Sequence, residues 1–185
     1  MHFTADQVWG CAVAADRLNG GYHKEDQWVR FTADAEPVKV KTANKTLVKE
    51  WLRNGMFQAI TEADIEQGRV VRHYFKGLLL KELAGKLNDF ERQALKIAQM
   101  DDFFGYHLLE FAVISCLPAS MRREQERKDL ATSIAESTQL AGKEGDLVQG
   151  DVEVVKCAYS QIYNKYKVTA KLGDGFILVI DLYTR

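Results

Sequence analysis

The chain has 185 residues, of which 46% are hydrophobic and 28% charged, and its formal net charge is −1. This length allows one good core and a small second one, and the near-neutral charge excludes a global attraction for nucleic acid or an anionic membrane. No apolar run approaches the roughly 18 residues that span a membrane and no secretory signal is present, so we expect a cytoplasmic protein without a membrane partner.

The first predicted helix begins at a capping box, in which Thr4 and Gln7 each satisfy a backbone amide of the first turn. Apolar residues at three- and four-residue spacing continue to Leu18, and the run 19–21, Asn-Gly-Gly, ends the helix. Two short alternating runs then flank a turn-like segment. They predict a loose hairpin over 28–41.

Further helices are predicted from their caps and apolar periodicity. One covers about 44–54 and ends at Gly55, where a left-handed C-cap belongs. The next begins at Thr61 and continues toward Leu83, although its two internal glycines weaken it and could bend or break it. A helix of about three turns follows Asn88.

The segment from Phe103 to Cys116 is apolar on nearly all sides, which predicts the central core helix. A charged, exposed helix is expected after Pro118. Beyond it the periodicity changes from helical to strand-like. We therefore predict an α+β fold, with a helical domain over 1–141 and a three-stranded antiparallel β-meander over 142–185.

The strands of this meander are predicted at 147–158, 162–172 and 176–183. Asp174-Gly175 is the strongest hairpin signal in the chain, because a type I′ turn needs positive φ at both central residues. Since strand side chains alternate between faces, the second strand has one apolar face and one cationic face.

The cationic face is a candidate site for single-stranded nucleic acid. Such a site needs lysines along the phosphates and flat rings on which bases stack, each stack contributing roughly 1–3 kcal/mol. The second strand and the end of the first supply both, through Lys156, Tyr159, Tyr163, Lys165, Lys167 and Lys171. Lys156 joins this face only if the first strand bulges or ends there. The alternative is a solvated sheet face whose lysines protect an edge against aggregation.

The segment 137–185 resembles the start of an OB-fold module found in many phage-encoded proteins, with a Gly-rich turn, a valine-rich strand, a Tyr-containing strand and the Asp-Gly hairpin. The pieces AADRLNGGYHK, TANKTLVKEWL, KLNDFER and SCLPASMRRE resemble the helical region that precedes this module. The resemblance implies a phage DNA-metabolism protein, most simply a non-enzymatic binder of single-stranded DNA in replication or recombination.

A complete OB-fold closes five strands into a barrel, whereas only three are predicted here. The hairpin at 28–41, the helical region or another copy of the chain could cover the missing edge. The third strand is apolar on both faces, so a partner is expected over its second face, at Ile177, Val179 and Tyr183. Self-association is one expectation, and a second hypothesis is a module that engages a phage or host replication protein through the open edge.

A second basic strip is predicted on a helix, where Arg69, Arg72 and Lys76 share one side at three- and four-residue spacing. This strip is compatible with phosphate binding, and the alternative is a solvated helix face.

No catalytic motif is recognisable in the sequence. The strongest candidate for a metal site combines Asp101, Asp102, His107 and Glu110, yet the aspartates stand where helix N-caps belong. The three cysteines have no metal-ligand spacing and are expected to be reduced, mostly buried thiols. We therefore expect a protein that is not an enzyme and that uses neither a cofactor nor a metal.

Overall fold

The structure is a computed structural model that describes residues 1–29, 36–136, 150–172 and 176–183. Its fold is α+β, as predicted, with helices in the N-terminal part and a three-stranded antiparallel sheet at the C-terminal end. Two compact units divide the chain, Met1–Arg123 and Glu124–Arg185. The domain boundary predicted at 141/142 lies outside the described residues.

The elements run in chain order as follows: β1 (His2–Thr4), α1 (Ala5–Leu18), β2 (Gln27–Val29), β3 (Val38–Lys41), α2 (Asn44–Asn54), a 3-10 helix (Phe57–Ala59), α3 (Glu62–Lys76), α4 (Leu79–Leu83), α5 (Asp89–Ala98), β4 (Asp102–Phe104), α6 (Leu108–Ile114), α7 (Leu117–Glu136), β5 (Val152–Ser160), β6 (Lys165–Leu172) and β7 (Phe176–Tyr183). In the part of the chain that the structure describes, no helix has both the length and the apolar character that a membrane span requires.

Four of the predicted helix caps are confirmed, whereas Asp101 and Asp102 do not cap a helix, since Asp102 begins β4 and His107 precedes the next helix. Capping boxes begin α1 at Thr4, α3 at Thr61 and α5 at Asn88, and Gly55 ends α2 with φ of 63°. The helix that starts at Thr61 passes through its first glycine unbroken and ends at Gly77, after which α4 follows as a separate short helix.

Helix α1 forms the centre of the N-terminal core. Val8, Cys11 and Ala12 are fully buried there, whereas Leu18 is exposed at the end of the helix. Helix α3 crosses α1 at a glycine contact. A Cβ atom on Gly68 would lie 2.9 Å from the backbone nitrogen of Gly10, so the absence of a side chain sets how closely the two helices approach.

The central core helix predicted over 103–116 is wrong in its extent and in its burial, since α6 covers only Leu108–Ile114 and Leu109 is 76% exposed. Asp102–Phe104 forms β4, which pairs antiparallel with β1, and α6 begins only at Leu108. Phe103 is fully buried while Phe104 is 38% exposed, the alternation of a strand. The hydrogen-bonding partner of this strand lies about one hundred residues away in sequence, so no local pattern indicates it.

The predicted hairpin is confirmed where the structure describes it, since β2 pairs antiparallel with β3. Polar contacts hold it on the N-terminal unit: Asp26 accepts a hydrogen bond from the backbone amide of Ala43, and Lys41 donates to the carbonyl of Asn19. The Ala43 amide, together with Lys39, holds the pKa of Asp26 below its usual value.

The C-terminal sheet has the strand order β5-β6-β7, with both pairs antiparallel. The predicted third strand has the observed bounds. The second begins at Lys165 instead of Ile162, whose side chain is 87% exposed in the preceding turn and does not belong to a core face. The predicted start of the first strand and the Asp174-Gly175 turn lie outside the described residues.

Candidate nucleic-acid interface

The strand register defines one basic face of the C-terminal sheet, because residues directly opposite each other in antiparallel strands project to the same side. In β6 this face carries Lys165, Lys167 and Lys171, and their β7 partners are Tyr183, Asp181 and Ile177. Lys156 of β5 pairs with Thr169 and joins the same side. We call this surface the lysine face.

A β-bulge in β5 decides which residues of that strand reach the lysine face. The register shifts between Val154 and Lys156, so that Val154 pairs with Ala170 and Lys156 pairs with Thr169. One extra residue turns every following side chain to the other side. Lys156 therefore lies with the other lysines, as the bulge alternative anticipated.

The same bulge separates Tyr159 from the other predicted site residues. Tyr159 pairs with Tyr166, and their ring centroids lie 4.9 Å apart on the side opposite the lysines. Its hydroxyl donates a hydrogen bond to the side chain of Asn164. Tyr159 cannot share a binding surface with Lys156 and Lys165 unless a ligand wraps around the edge of the sheet.

Lys165 forms the most elaborate local arrangement on the lysine face. Its Nζ atom lies 2.6 Å from a carboxylate oxygen of Asp181 and near two rings, 5.4 Å from the centroid of Tyr163 and 5.6 Å from that of Tyr183. Asp181 raises the pKa of Lys165 above its usual value. The two rings are 67% and 71% exposed, so solvent or a ligand reaches them.

Tyr183 is a member of this arrangement that sequence reasoning had assigned only to a partner surface. Counting back from a two-residue turn at Asp174-Gly175 would pair Tyr183 with Tyr166, whereas the structure pairs Tyr183 with Lys165, so the turn signal in the sequence did not place Tyr183 on this face. Ile177 and Val179, the other predicted partner residues, lie on the same face. The predicted nucleic-acid and partner surfaces therefore adjoin each other.

The lysine face is not purely cationic. Asp181 stands opposite Lys167 and contacts Lys165, and Glu153 stands opposite Lys171. These carboxylates oppose the approach of a phosphate by like-charge repulsion. The face has a positive excess, but a moderate one.

The opposite face of the sheet is apolar and partly open to solvent. Val168 and Ala170 are buried at its centre, whereas Val154 is 58% and Leu182 is 52% exposed. On the lysine side, Val179 of β7 is 54% exposed. Among the described residues, the expectation that both faces of the third strand are buried is therefore not met.

The two arginines of the basic strip predicted on α3 bind other groups of the protein. Arg69 binds Asp6 and Glu66, while Arg72 donates to two backbone carbonyls and to Asp101. These bonds attach α3 to neighbouring elements. Lys76 remains exposed in the last turn, but the strip as a whole acts as an intramolecular clamp.

Three of the four residues considered for a metal have other partners. Asp101 binds Arg72, Asp102 lies 2.6 Å from Nε2 of His2, and Nδ1 of His107 accepts a hydrogen bond from the Phe104 amide. Within the described residues, no group of three or more histidine, cysteine or acidic side chains is placed to hold a metal.

The thiols differ in access. Cys11 is fully buried, and burial raises its pKa to about 12, while Cys116 is half-buried. Cys157 is exposed, contrary to the expectation that the thiols are mostly buried, because it faces the open apolar side of the sheet opposite Val168.

No protein-family model, no curated protein and no solved structure matches this chain.

Proposed function

We propose that the protein binds single-stranded nucleic acid on the lysine face without catalysing a reaction, most simply single-stranded DNA in phage replication or recombination. The observation that carries the proposal is the arrangement around Lys165. It combines a cation with two rings, Tyr163 and Tyr183, that are each more than half exposed. Stacking on such rings requires unpaired bases, which favours a single strand over a duplex.

The rings and the lysines of this face offer different contacts to a nucleic acid. Tyr163 and Tyr183 offer surfaces for bases, while Lys156, Lys167 and Lys171 extend along the sheet and offer charges to successive phosphates. Stacking on rings and contacts between lysines and phosphates do not read base edges, so binding through them depends little on sequence. Because lysine–phosphate contacts release counterions, binding is expected to weaken steeply with salt.

The test is a fluorescence-anisotropy titration of a labelled oligothymidylate at low salt. We expect the double variant Lys167→Ala/Lys171→Ala to bind at least about tenfold more weakly. Its salt slope should be less steep, because each single-strand phosphate contact contributes about −0.7 to that slope. The matched control is Lys86→Ala/Lys96→Ala, which removes the same charge from exposed positions of the N-terminal unit.

Failure of the wild-type protein to bind at low salt would refute the proposal. Equal losses in both double variants would show that net charge and not the lysine face is responsible.

A second candidate function is that of a protein-interaction module, and the exposed apolar side chains of the sheet favour it. Val154, Val179 and Leu182 are each more than half exposed. A pull-down from host lysate that recovers one stoichiometric protein after nuclease treatment would support this function. If the partner is lost on nuclease treatment, the result would instead support nucleic-acid binding.

A further inference from the structure

Arg53, in the last turn of α2, differs from the other arginines that the structure describes. Each of those donates a hydrogen bond to a carboxylate or a backbone carbonyl, whereas Arg53 has no intramolecular partner among the described residues. Lys49 lies one turn earlier on the same side of α2 and is likewise unpaired within the described part of the chain. Two uncommitted cations therefore lie side by side.

A cavity of about 180 Å³ opens beside these cations. Its apolar walls are formed by Phe3, Leu52, Leu108 and Phe111. Among the described residues that line it, Lys49 and Arg53 have the only charged side chains, and Met1, with the N-terminal amino group, lines it as well. An engineered apolar cavity of about 150 Å³ accommodates benzene. This cavity is therefore large enough for one aromatic ring or one branched aliphatic side chain.

The depression continues beyond the cavity. A neighbouring hollow of about 380 Å³ shares Phe3, Leu52 and Arg53 with it and extends past the end of α2 to Gly55. We call the two together the α2 groove. Arg53 lies where they meet, so its guanidinium is available to a ligand in either part.

Exposed aromatic and aliphatic side chains adjoin the α2 groove. Gly105 lines the cavity, and the next residue, Tyr106, is 76% exposed and stacks on Phe104 with nearly parallel rings 5.6 Å apart. Leu109 is also 76% exposed. Clusters of exposed apolar groups mark interaction sites, and tyrosine and arginine are enriched among the residues that dominate binding energy.

We propose that the α2 groove binds an acidic peptide segment of a partner protein. One large apolar side chain of the peptide enters the cavity, and flanking carboxylates bind Lys49 and Arg53. The charge complementarity argues for this occupant, because an apolar pocket with two uncommitted cations requires an apolar group that carries negative charge. A guanidinium also matches a carboxylate with two parallel hydrogen bonds.

A nucleobase fits the cavity less well. Its polar edges would be buried against Leu52, Leu108 and the phenylalanine rings, where the side chains offer no hydrogen-bonding groups, and burying unpaired polar groups is unfavourable. The proposal does not depend on nucleic-acid binding, since the described residues that line the α2 groove all belong to the unit Met1–Arg123.

The probe is a fluorescein-labelled synthetic peptide, Gly-Ser-Asp-Glu-Asp-Asp-Leu-Phe, titrated with the full-length chain. We expect saturable binding. Two altered peptides separate its causes: one has serine in place of leucine and phenylalanine, and the other has asparagine and glutamine in place of the acids. Each should lose at least about tenfold in affinity, because each lacks one half of the complementary chemistry.

Protein variants test the location. Lys49→Gln/Arg53→Gln should lower the affinity for the peptide at least about tenfold. Gly105→Phe adds a ring to the lining of the cavity and should weaken peptide binding, and its Cβ atom meets no atom within 4 Å. The control Arg127→Gln removes one charge from an exposed position of α7 and should bind normally. Far-UV circular dichroism verifies folding of each variant.

Lack of binding to the wild-type chain, or equal binding of the serine-containing peptide, would overturn the proposal. Displacement of the peptide by oligothymidylate, together with weaker oligonucleotide binding by Lys49→Gln/Arg53→Gln, would assign the α2 groove to nucleic acid instead. The lysine-face variant Lys167→Ala/Lys171→Ala should bind the peptide normally, so failure of either function is distinguishable from failure of the other.

Discussion

Asp181 is the residue that most restrains the lysine face. Its carboxylate contacts Lys165 and stands opposite Lys167, so it neutralises charge where two exposed rings offer stacking surfaces. An exposed ion pair of this kind contributes little to folding stability, about 0–1 kcal/mol. Its main consequence therefore concerns what the face can bind.

We predict that Asp181→Asn binds single-stranded oligonucleotide about two- to fivefold more tightly at low salt, because removing the carboxylate releases the Lys165 ammonium group to a phosphate. The gain should vanish at high salt. Anisotropy titrations at two salt concentrations measure both effects. The control is Asp89→Asn, which breaks an exposed ion pair with Arg92 elsewhere in the chain. Unchanged affinity in Asp181→Asn would show that phosphate does not reach Lys165.

Single residues also show where sequence reasoning reached its limit in the candidate site. The alternation of β6 was sufficient to place Lys165, Lys167 and Lys171 on one side. It was insufficient for β5, because a bulge leaves no reliable local signature and exchanges the sides of Lys156 and Tyr159. Arg69 looked available for phosphate because its partner Asp6 lies 63 residues away in sequence.

At the level of elements, the predictions succeeded where the signals are local. Thr4, Thr61 and Asn88 each form a capping box with the residue three positions later. The starts of their helices could therefore be located from a few neighbouring residues. Strand β4 was misassigned because a segment of three residues carries no information about its distant partner. Pairing with β1 decided its conformation.

The crossing of α1 and α3 yields a prediction about stability. In an exposed helix, replacing glycine with alanine stabilises by about 1 kcal/mol. At Gly68 we expect the opposite, a loss of about 1–3 kcal/mol, because the new Cβ would lie 2.9 Å from backbone atoms of Trp9 and Gly10. Urea unfolding of Gly68→Ala measures the loss.

The control for this variant is Gln67→Ala, an exposed neighbouring position in the same helix that should change stability little. If Gly68→Ala proved more stable than the wild type, the two helices would have to be farther apart than described.

For the molecule as a whole, the ion pairs predict a decline of stability in acid. Arg17 and the cap at Thr61 lower the pKa of the buried Asp64 to about 2, and the pKa values of Asp6 and Asp101 are also lowered by their arginine partners. A carboxylate with a lowered folded-state pKa stabilises the fold above its unfolded pKa near 4. That contribution is lost as the pH falls toward 2.

Asp64 alone should contribute on the order of 2 kcal/mol at neutral pH, since each pKa unit corresponds to about 1.4 kcal/mol. We expect Asp64→Asn to unfold at lower urea concentration at pH 7 and to show a flatter dependence of unfolding free energy between pH 5 and pH 2. Denaturation monitored by circular dichroism measures both. The exposed Glu126→Gln should keep the wild-type profile. Parallel pH profiles for all three proteins would contradict the role assigned to Asp64.

The bulge in β5 decides on which face of the sheet each later side chain of that strand lies. Without the bulge, strict alternation of the same residues would move Lys156 to the side of Val152 and Val154 and Tyr159 to the side of Lys165. Deleting Val155 would remove the extra residue but keep Val154 opposite Ala170 and Lys156 opposite Thr169, so the lysine face would keep its residues. The chemistry of this surface is therefore set by how β5 pairs with β6, and not by the order of the residues in β5 alone.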